Sequence, residues 1–172
     1  MSEALFVGVD PGKKGGWACI GSGRRVLWAE GIPMIGEKFY DFDAIAERVR
    51  TISSHGAKIH ATIEKLQALP ASMGGSFANY ARGEVLAWEW LFRYVRATVD
   101  RPLPRKWHVA MLAGGNTKEQ SILSAQRMFP GVDLKRTPRA KGPDDGIADA
   151  LNMALYQLAA PYIERGDTVP EF

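Results

Sequence analysis

Leu5-Phe6-Val7-Gly8-Val9-Asp10-Pro11-Gly12-Lys13-Lys14-Gly15-Gly16-Trp17-Ala18-Cys19-Ile20 sets the frame for the chain. A short apolar run closes on one acid, the pattern of a buried central strand ending at a charge. Pro11 to Gly16 is dense turn chemistry, and Trp17–Ile20 reads as the returning strand. Gly21-Ser22-Gly23 makes a second turn, and Arg25–Ala29 a third strand. Beyond this meander the period changes. A helix is expected from near Asp43, an N-cap type, with Ile45, Val49 and Ile52 on one face and a stop at Gly56. Ile59–Glu64 is a strand with Ile59, Ala61 and Ile63 on one side. Gln67–Phe77 reads as a loop, Asn79–Arg96 as a helix carrying Val85, Trp88, Leu91, Phe92 and Val95, and Ala97–Val99 as a short strand. Trp107–Leu112 fits either a short helix or a turn, with Trp107 either exposed or interfacial. Gly114-Gly115-Asn116 opens a further helix, in which Thr117-x-x-Gln120 is a capping box and Phe129-Pro130-Gly131 the stop. A last helix runs from Asp144 to Tyr162. Three strands followed by helices alternating with strands give an α/β chain, a mixed sheet with helices packed against it, in one domain over residues 1–172.

Composition narrows the class. With 172 residues, 46% of them apolar and 24% charged, the chain has the make-up of one globular domain and not of a disordered, collagenous or coiled-coil protein. Its single cysteine, Cys19, provides neither an internal disulfide nor a cysteine-rich zinc site, which suits a reducing cytoplasm. Met1-Ser2-Glu3 and the short run after it lack the form of a signal peptide. Ile147–Ile163 is interrupted by Asp149, Asn152, Gln157 and Pro161, so no membrane span is expected. The net charge of +3 is unevenly spread. Between Arg101 and Gly142 nine basic residues (Arg101, Arg105, Lys106, Lys118, Arg127, Lys135, Arg136, Arg139, Lys141) face two acidic ones, a local +7 that leaves −4 for the rest. Such a region fits a polyanion such as nucleic acid, or equally a solvated basic surface.

Four acids stand at element ends or in apolar company. Asp10 and Glu64 close the two most apolar strands, while Asp145 and Asp149 lie one turn apart on the last helix. Each has a plain alternative: Asp10 as a turn residue before Pro-Gly, Glu64 as a solvated strand end, Asp145 as a first-turn acid favoured by the helix dipole. Asp144 reads best as the N-cap of that helix. Asp149 is harder to explain locally, because Ile147-Ala148-Asp149-Ala150-Leu151 is otherwise apolar. If the strands ending in Asp10 and Glu64 are neighbours, the carboxylates share one edge and repel unless protons or cations neutralise them. Mg²⁺ takes such oxygen ligands together with phosphate oxygens, and two ions ~3.5–4 Å apart serve phosphodiester hydrolysis.

Val7-Gly8-Val9-Asp10-Pro11-Gly12 with Gly16-Trp17-Ala18, Ile63-Glu64, Ala81-Arg82-Gly83 and Asp145-Gly146-Ile147-Ala148-Asp149-Ala150-Leu151 resemble, in order, the RuvC-like Holliday-junction resolvases of the RNase H-like superfamily. Pro104-Arg105-Lys106-Trp107, and Lys118-Glu119 through Phe129-Pro130-Gly131-Val132-Asp133, resemble phage and prophage members. The resemblance covers residues 4 to 156 and implies an RNase H-like mixed sheet of about five strands with helices on both faces. It implies a structure-specific endonuclease acting on four-way DNA junctions. Asp10, Glu64, Asp145 and Asp149 would hold two Mg²⁺ ions (Mn²⁺ substituting), with Lys118 on the scissile phosphate. Arg105, Lys106, Lys118, Lys135, Arg136, Arg139 and Lys141 would contact DNA. It further implies a homodimer built on the helix with Trp88, Trp90, Leu91 and Phe92, in a prokaryotic or phage-infected cytoplasm. Two departures stand out. The third acid lies four residues before Asp149, where well-known bacterial members have three, and position 146 is glycine. Lys65, Leu66 and Gln67 replace the aromatic that family members carry just after the second acid, and Phe77 is far along the chain.

Other classes fit less well. An actin- or sugar-kinase-like ATP-binding protein shares Asp-x-Gly after a strand but needs at least twice this length. Gly114-Gly115-Asn116-Thr117-Lys118 is not a Walker A sequence, and His55, His60 and His108 lack zinc-ligand spacing. The alternatives kept are a less selective branched-DNA or flap nuclease and a non-catalytic junction-binding protein.

Overall fold

The structure, a computed structural model, describes residues 4–12, 14–36, 39–54, 56–65, 75–112 and 117–166, with the backbone alone over 75–84. Strands β1 (Ala4–Val9), β2 (Gly16–Gly21) and β3 (Val26–Gly31) form the antiparallel meander. A two-residue hairpin, β4 (Met34–Ile35) and β5 (Phe39–Tyr40), leads to helix α1 (Phe42–Ser53). Then follow β6 (Lys58–Ile63), α2 (Gly75–Tyr94), β7 (Thr98–Asp100), α3 (Pro104–Met111), α4 (Lys118–Met128) and α5 (Asp145–Arg165). The main sheet has five strands in the order β3-β2-β1-β6-β7, with β6 and β7 parallel to β1.

Alternation along the central strands divides the core between two faces. Leu5, Val7 and Val9 of β1, with Trp17 and Cys19 of β2, join Ile45, Val49 and Ile52 of α1 and Val85, Trp88 and Phe92 of α2. Phe6, Ala18 and Ile20 point the other way, to Ala125 of α4 and to Ile147, Leu151, Ala154 and Leu158 of α5. The expected mixed sheet with helices on both faces is the observed fold.

Several local readings are corrected. The cap of α1 is Asp41, whose carboxylate accepts from the Ala44 N–H at 3.0 Å, and Asp43 lies in the first turn where the dipole favours it. Helix α2 begins at Gly75, so Asn79 is interior and the end of the expected Gln67–Phe77 loop is helical. Residues 66–74, with Leu66 and Gln67, lie outside the described residues, as do Gly114-Gly115-Asn116 and the side chain of Phe77. Trp107–Leu112 belongs to a helix opened by Pro104, whose missing N–H costs nothing in a first turn. The Thr117–Gln120 capping box forms as read.

On α2, Trp88 and Phe92 are fully buried and Leu91 packs against the same core, so they form no docking face. The exposed ridge consists of Leu86, Trp90 and Tyr94, with the last two rings stacked at 5.7 Å. Among the described residues, no helix is long and apolar enough to cross a membrane.

Candidate active site

The β1–β6 register ends at Val9↔Ile63, so the next residues, Asp10 and Glu64, leave the sheet side by side. Their backbones are fixed: the Asp10 N–H donates to the Gly16 carbonyl at 2.9 Å, and the Glu64 N–H to the Val9 carbonyl at 3.0 Å. The other acids arrive on α5, which lies against β1 and β2 at backbone distance. A Cβ on Gly8 would strike the Ala150 carbonyl, one on Gly16 would come within 2.5 Å of the Gly146 oxygen, and one on Gly146 within 2.5 Å of the Lys14 oxygen. These glycines let the helix approach until Asp145 and Asp149 share the edge with Asp10.

The carboxylates feel one another. Burial, then the charges of Glu64, Asp149, Asp145 and Asp144, push Asp10 well above the usual carboxylate range. Burial pushes Glu64 up to about 7; the Trp107 Nε1–H, donated at 3.2 Å, opposes this and Asp149 adds to it. Burial pushes Asp149 up to about 6, against a hydrogen bond from the Ser121 hydroxyl and the charge of Lys118. At Asp145 burial is outweighed by Lys118, whose Nζ sits 2.6 Å from Oδ2, and the carboxyl lies below its ordinary value.

Among the described residues no three acidic, histidine or cysteine side chains converge on one point as a finished metal cage. Each acid on the helix and Glu64 has its own partner: Glu64 accepts from Trp107, Asp149 from Ser121, Asp145 pairs with Lys118, and Asp144 with Arg136. An acid in a repulsive cluster takes whichever donor stands beside it. Asp10 has no such donor among the described residues. A donor set made of oxygen alone, drawn from two strand ends and one helix, whose members raise one another's proton affinity, fits a hard divalent cation.

Sequence reading misses the supports. Trp107 is neither exposed nor interfacial but completely buried on α3. Ser121 is held in turn by Asn152 Nδ2, which donates to the Ser121 hydroxyl and to its carbonyl, each at 3.0 Å. A trace of this is present in the small, polar inner face of α4, Ser121-x-x-Ser124-Ala125.

The basic residues divide. Arg105, Lys118, Lys135, Arg139 and Lys141 are exposed. Lys106 is exposed too, but donates to the Tyr156 hydroxyl, which keeps its ammonium protonated above the ordinary lysine range. Arg136 differs from its basic neighbours. It is half-buried, with Nε 2.7 Å from Asp144 Oδ2. Asp144 is the helix cap, as its sequence position implies, accepting from the Ile147 N–H at 3.2 Å.

No protein-family model matches the chain, and no curated protein sequence does. Solved structures do. The chain is similar to Thermus thermophilus RuvC, with 21% identity, a TM-score of 0.58, and coverage of 96% of this chain and 99% of that one. It is equally similar to T. thermophilus RuvC in complex with Holliday junction substrate, at 20% identity, TM-score 0.58, and coverage of 97% and 99%. The fold of this chain is therefore the RuvC fold over nearly its whole length.

Proposed function

We propose that this chain is a Mg²⁺-dependent endonuclease that resolves four-way DNA junctions by paired phosphodiester hydrolysis. The observation that carries the reading is the meeting of Asp10, Glu64, Asp145 and Asp149 at one sheet edge, in mutual repulsion, on the RuvC fold. A RuvC of this fold is known bound to a Holliday junction, which supports branched DNA as the substrate class here. Asp10, Glu64, Asp145 and Asp149 are the residues that would hold two Mg²⁺ ions, with Mn²⁺ as a substitute. Ions held there would supply activation of water and charge stabilisation at the leaving oxygen.

The protein's own groups do the rest. Trp107 and Ser121 orient Glu64 and Asp149 from behind, as outer-sphere donors do. Lys118, exposed and protonated beside Asp145, would take a phosphate oxygen. Arg105, Lys135, Arg139 and Lys141 neutralise backbone phosphates, so binding weakens steeply with salt. Two nicks on opposed strands require two sites, and the Leu86-Trp90-Tyr94 ridge is the surface we assign to a homodimer.

The test is cleavage of a labelled four-way junction beside a linear duplex and a flap of matching sequence, with Mg²⁺ and with EDTA. Paired symmetric nicks confined to the junction and lost in EDTA are expected. Equal cutting of all three would make the protein a general branched-DNA nuclease, a reading favoured by Lys65 standing where relatives carry an aromatic. Tight junction binding without cutting would make it a non-catalytic binder.

Protons compete with the cation for these acids. Protonated Glu64 and Asp149 must lose a proton to bind metal, so Mn²⁺ affinity should fall as the pH drops through about 7 and then about 6. Trp107→Phe removes the donor that lowers Glu64, and should move the upper limb of that profile to higher pH. Calorimetric Mn²⁺ titrations from pH 5 to 8 (about the range over which a perturbed carboxylate titrates) check both. A flat profile, or an unmoved limb, would separate Glu64 from the metal.

A further inference from the structure

Arg136 lies in the basic loop between α4 and α5, yet its guanidinium bonds inward. Nε and Nη2 grip the two oxygens of Asp144 at 2.7 and 2.8 Å, a fork-on-fork pair. Nη2 also donates to the Gly15 carbonyl at 2.9 Å and to the Lys14 carbonyl. A Cβ on Gly31, at the end of β3, would collide with this guanidinium, so the glycine leaves its passage open. One side chain thus bonds the turn that follows Asp10 to the cap of the helix that carries Asp145 and Asp149, passing over the end of β3.

The ties are short in space. Gly15 and Lys14 belong to the turn whose far end, Gly16, accepts from the Asp10 N–H at 2.9 Å. Asp144 caps α5 through the Ile147 N–H, immediately before Asp145 and five residues before Asp149. Arg136 therefore bridges the turn after Asp10 and the start of the helix that carries the other acids, on top of the glycine contacts, and a site for cations tolerates little looseness. A fixed positive charge behind these acids also offsets part of their repulsion, and it acts on Asp145 directly.

We propose that Arg136 is a positioning residue of the metal site, clamping the Asp10 turn to the Asp144-capped helix, and not a DNA contact. This rests on the metal-site reading above. The clearest test measures Mn²⁺ binding by calorimetry without DNA. In parallel, junction binding is measured in EDTA across a salt series, for the unsubstituted protein, Arg136→Ala, Arg136→Lys and Asp144→Asn. Asparagine keeps the cap but ends the ion pair, and lysine keeps the charge but loses the fork. All three variants should bind Mn²⁺ about 10- to 100-fold more weakly, the loss typical of an outer-sphere partner. Arg136→Ala combined with Asp144→Asn should lose no more than either alone, because both break one contact. Junction affinity in EDTA and its salt slope should not change.

Unaltered Mn²⁺ affinity, with a salt slope reduced by about one, would overturn the clamp and return Arg136 to the DNA surface. Equal metal affinity in every variant with only the melting temperature lowered would also overturn it, leaving a purely structural bond. Should Arg136→Ala fail to fold, Arg136→Lys and Asp144→Asn decide alone. An unsubstituted protein that takes up no Mn²⁺ at any pH would overturn the metal reading itself, and the clamp with it.

Discussion

Asp10→Asn is expected to reduce Mg²⁺-dependent junction cleavage about a thousandfold or more while making the metal-free protein more resistant to heat at alkaline pH. The first half follows from its place: Asp10 is the acid on which all the others act, and it has no donor of its own among the described residues. Losing one carboxylate of a catalytic metal site removes several kcal/mol of transition-state stabilisation, and about 1.4 kcal/mol is a decade in rate. The second half follows from linkage. A buried acid whose folded-state pKa is raised above its unfolded value favours folding most at low pH, and that advantage disappears as the pH rises through the folded value. An asparagine at this position carries no charge to desolvate, so the variant should melt higher than the parent at pH ~8, with the gap closing toward pH ~4 where both side chains are neutral. Adding Mg²⁺ should raise the parent's melting temperature by mass action and leave the variant nearly unmoved. Junction binding in EDTA, which draws on the basic residues, should survive. A variant that still cuts at the parental rate would remove Asp10 from the chemistry, and one that melts lower at pH ~8 would contradict the repulsion.

The cost of burying a charge makes the carboxylate edge legible in the sequence. A charge at the end of an otherwise apolar strand, or inside Ile147-Ala148-Asp149-Ala150-Leu151, is costly unless something requires it, so Asp10, Glu64 and Asp149 declare themselves. The sheet is legible for a related reason, since alternation and turn residues are local. What cannot be read is whatever depends on a distant partner. Arg136 looks like its basic neighbours until the carbonyls of Lys14 and Gly15, 122 and 121 residues away, are brought beneath it. Trp107 meets Glu64 across 43 residues, and Ser121 meets Asp149 across 28. The β4–β5 hairpin is two residues on each side, too short for any period. On α2 both Trp88 and Trp90 carry the same apolar signal, but the helix turns one into the core and the other to solvent.

The spacing of the two helical acids yields the second large effect. In the resolvases that the sequence resembles, the third acid stands three residues before the last, which here would move it from Asp145 to position 146. Gly146→Asp is expected instead to destabilise the protein by about 3 kcal/mol or more, at the upper end of the cost of overpacking. The obstacle is backbone and not a side chain that can turn aside: a Cβ at 146 would lie 2.5 Å from the Lys14 carbonyl oxygen and 2.9 Å from the Gly15 carbonyl carbon and Cα. Relief requires α5 to back away from β2. That shift would also undo the approach at Gly8, where the same helix passes Ala150 over β1, and the grip of Arg136 on Asp144. The added carboxylate would therefore enter a site whose Asp10–Asp149 spacing it has itself widened. Combining Gly146→Asp with Asp145→Gly should rescue neither cleavage nor Mn²⁺ affinity, and chemical denaturation should show the loss of stability in both forms. If the double variant were as stable and as active as the parent, the tight glycine seam between α5 and the Asp10 turn would not be what places the third acid at 145. A stable but inactive double variant would also contradict the seam, because it would show that a Cβ at 146 is tolerated, and would assign the defect to the direction of the new carboxylate; loss of both stability and activity is what backbone contact at Gly16 and Gly146 requires.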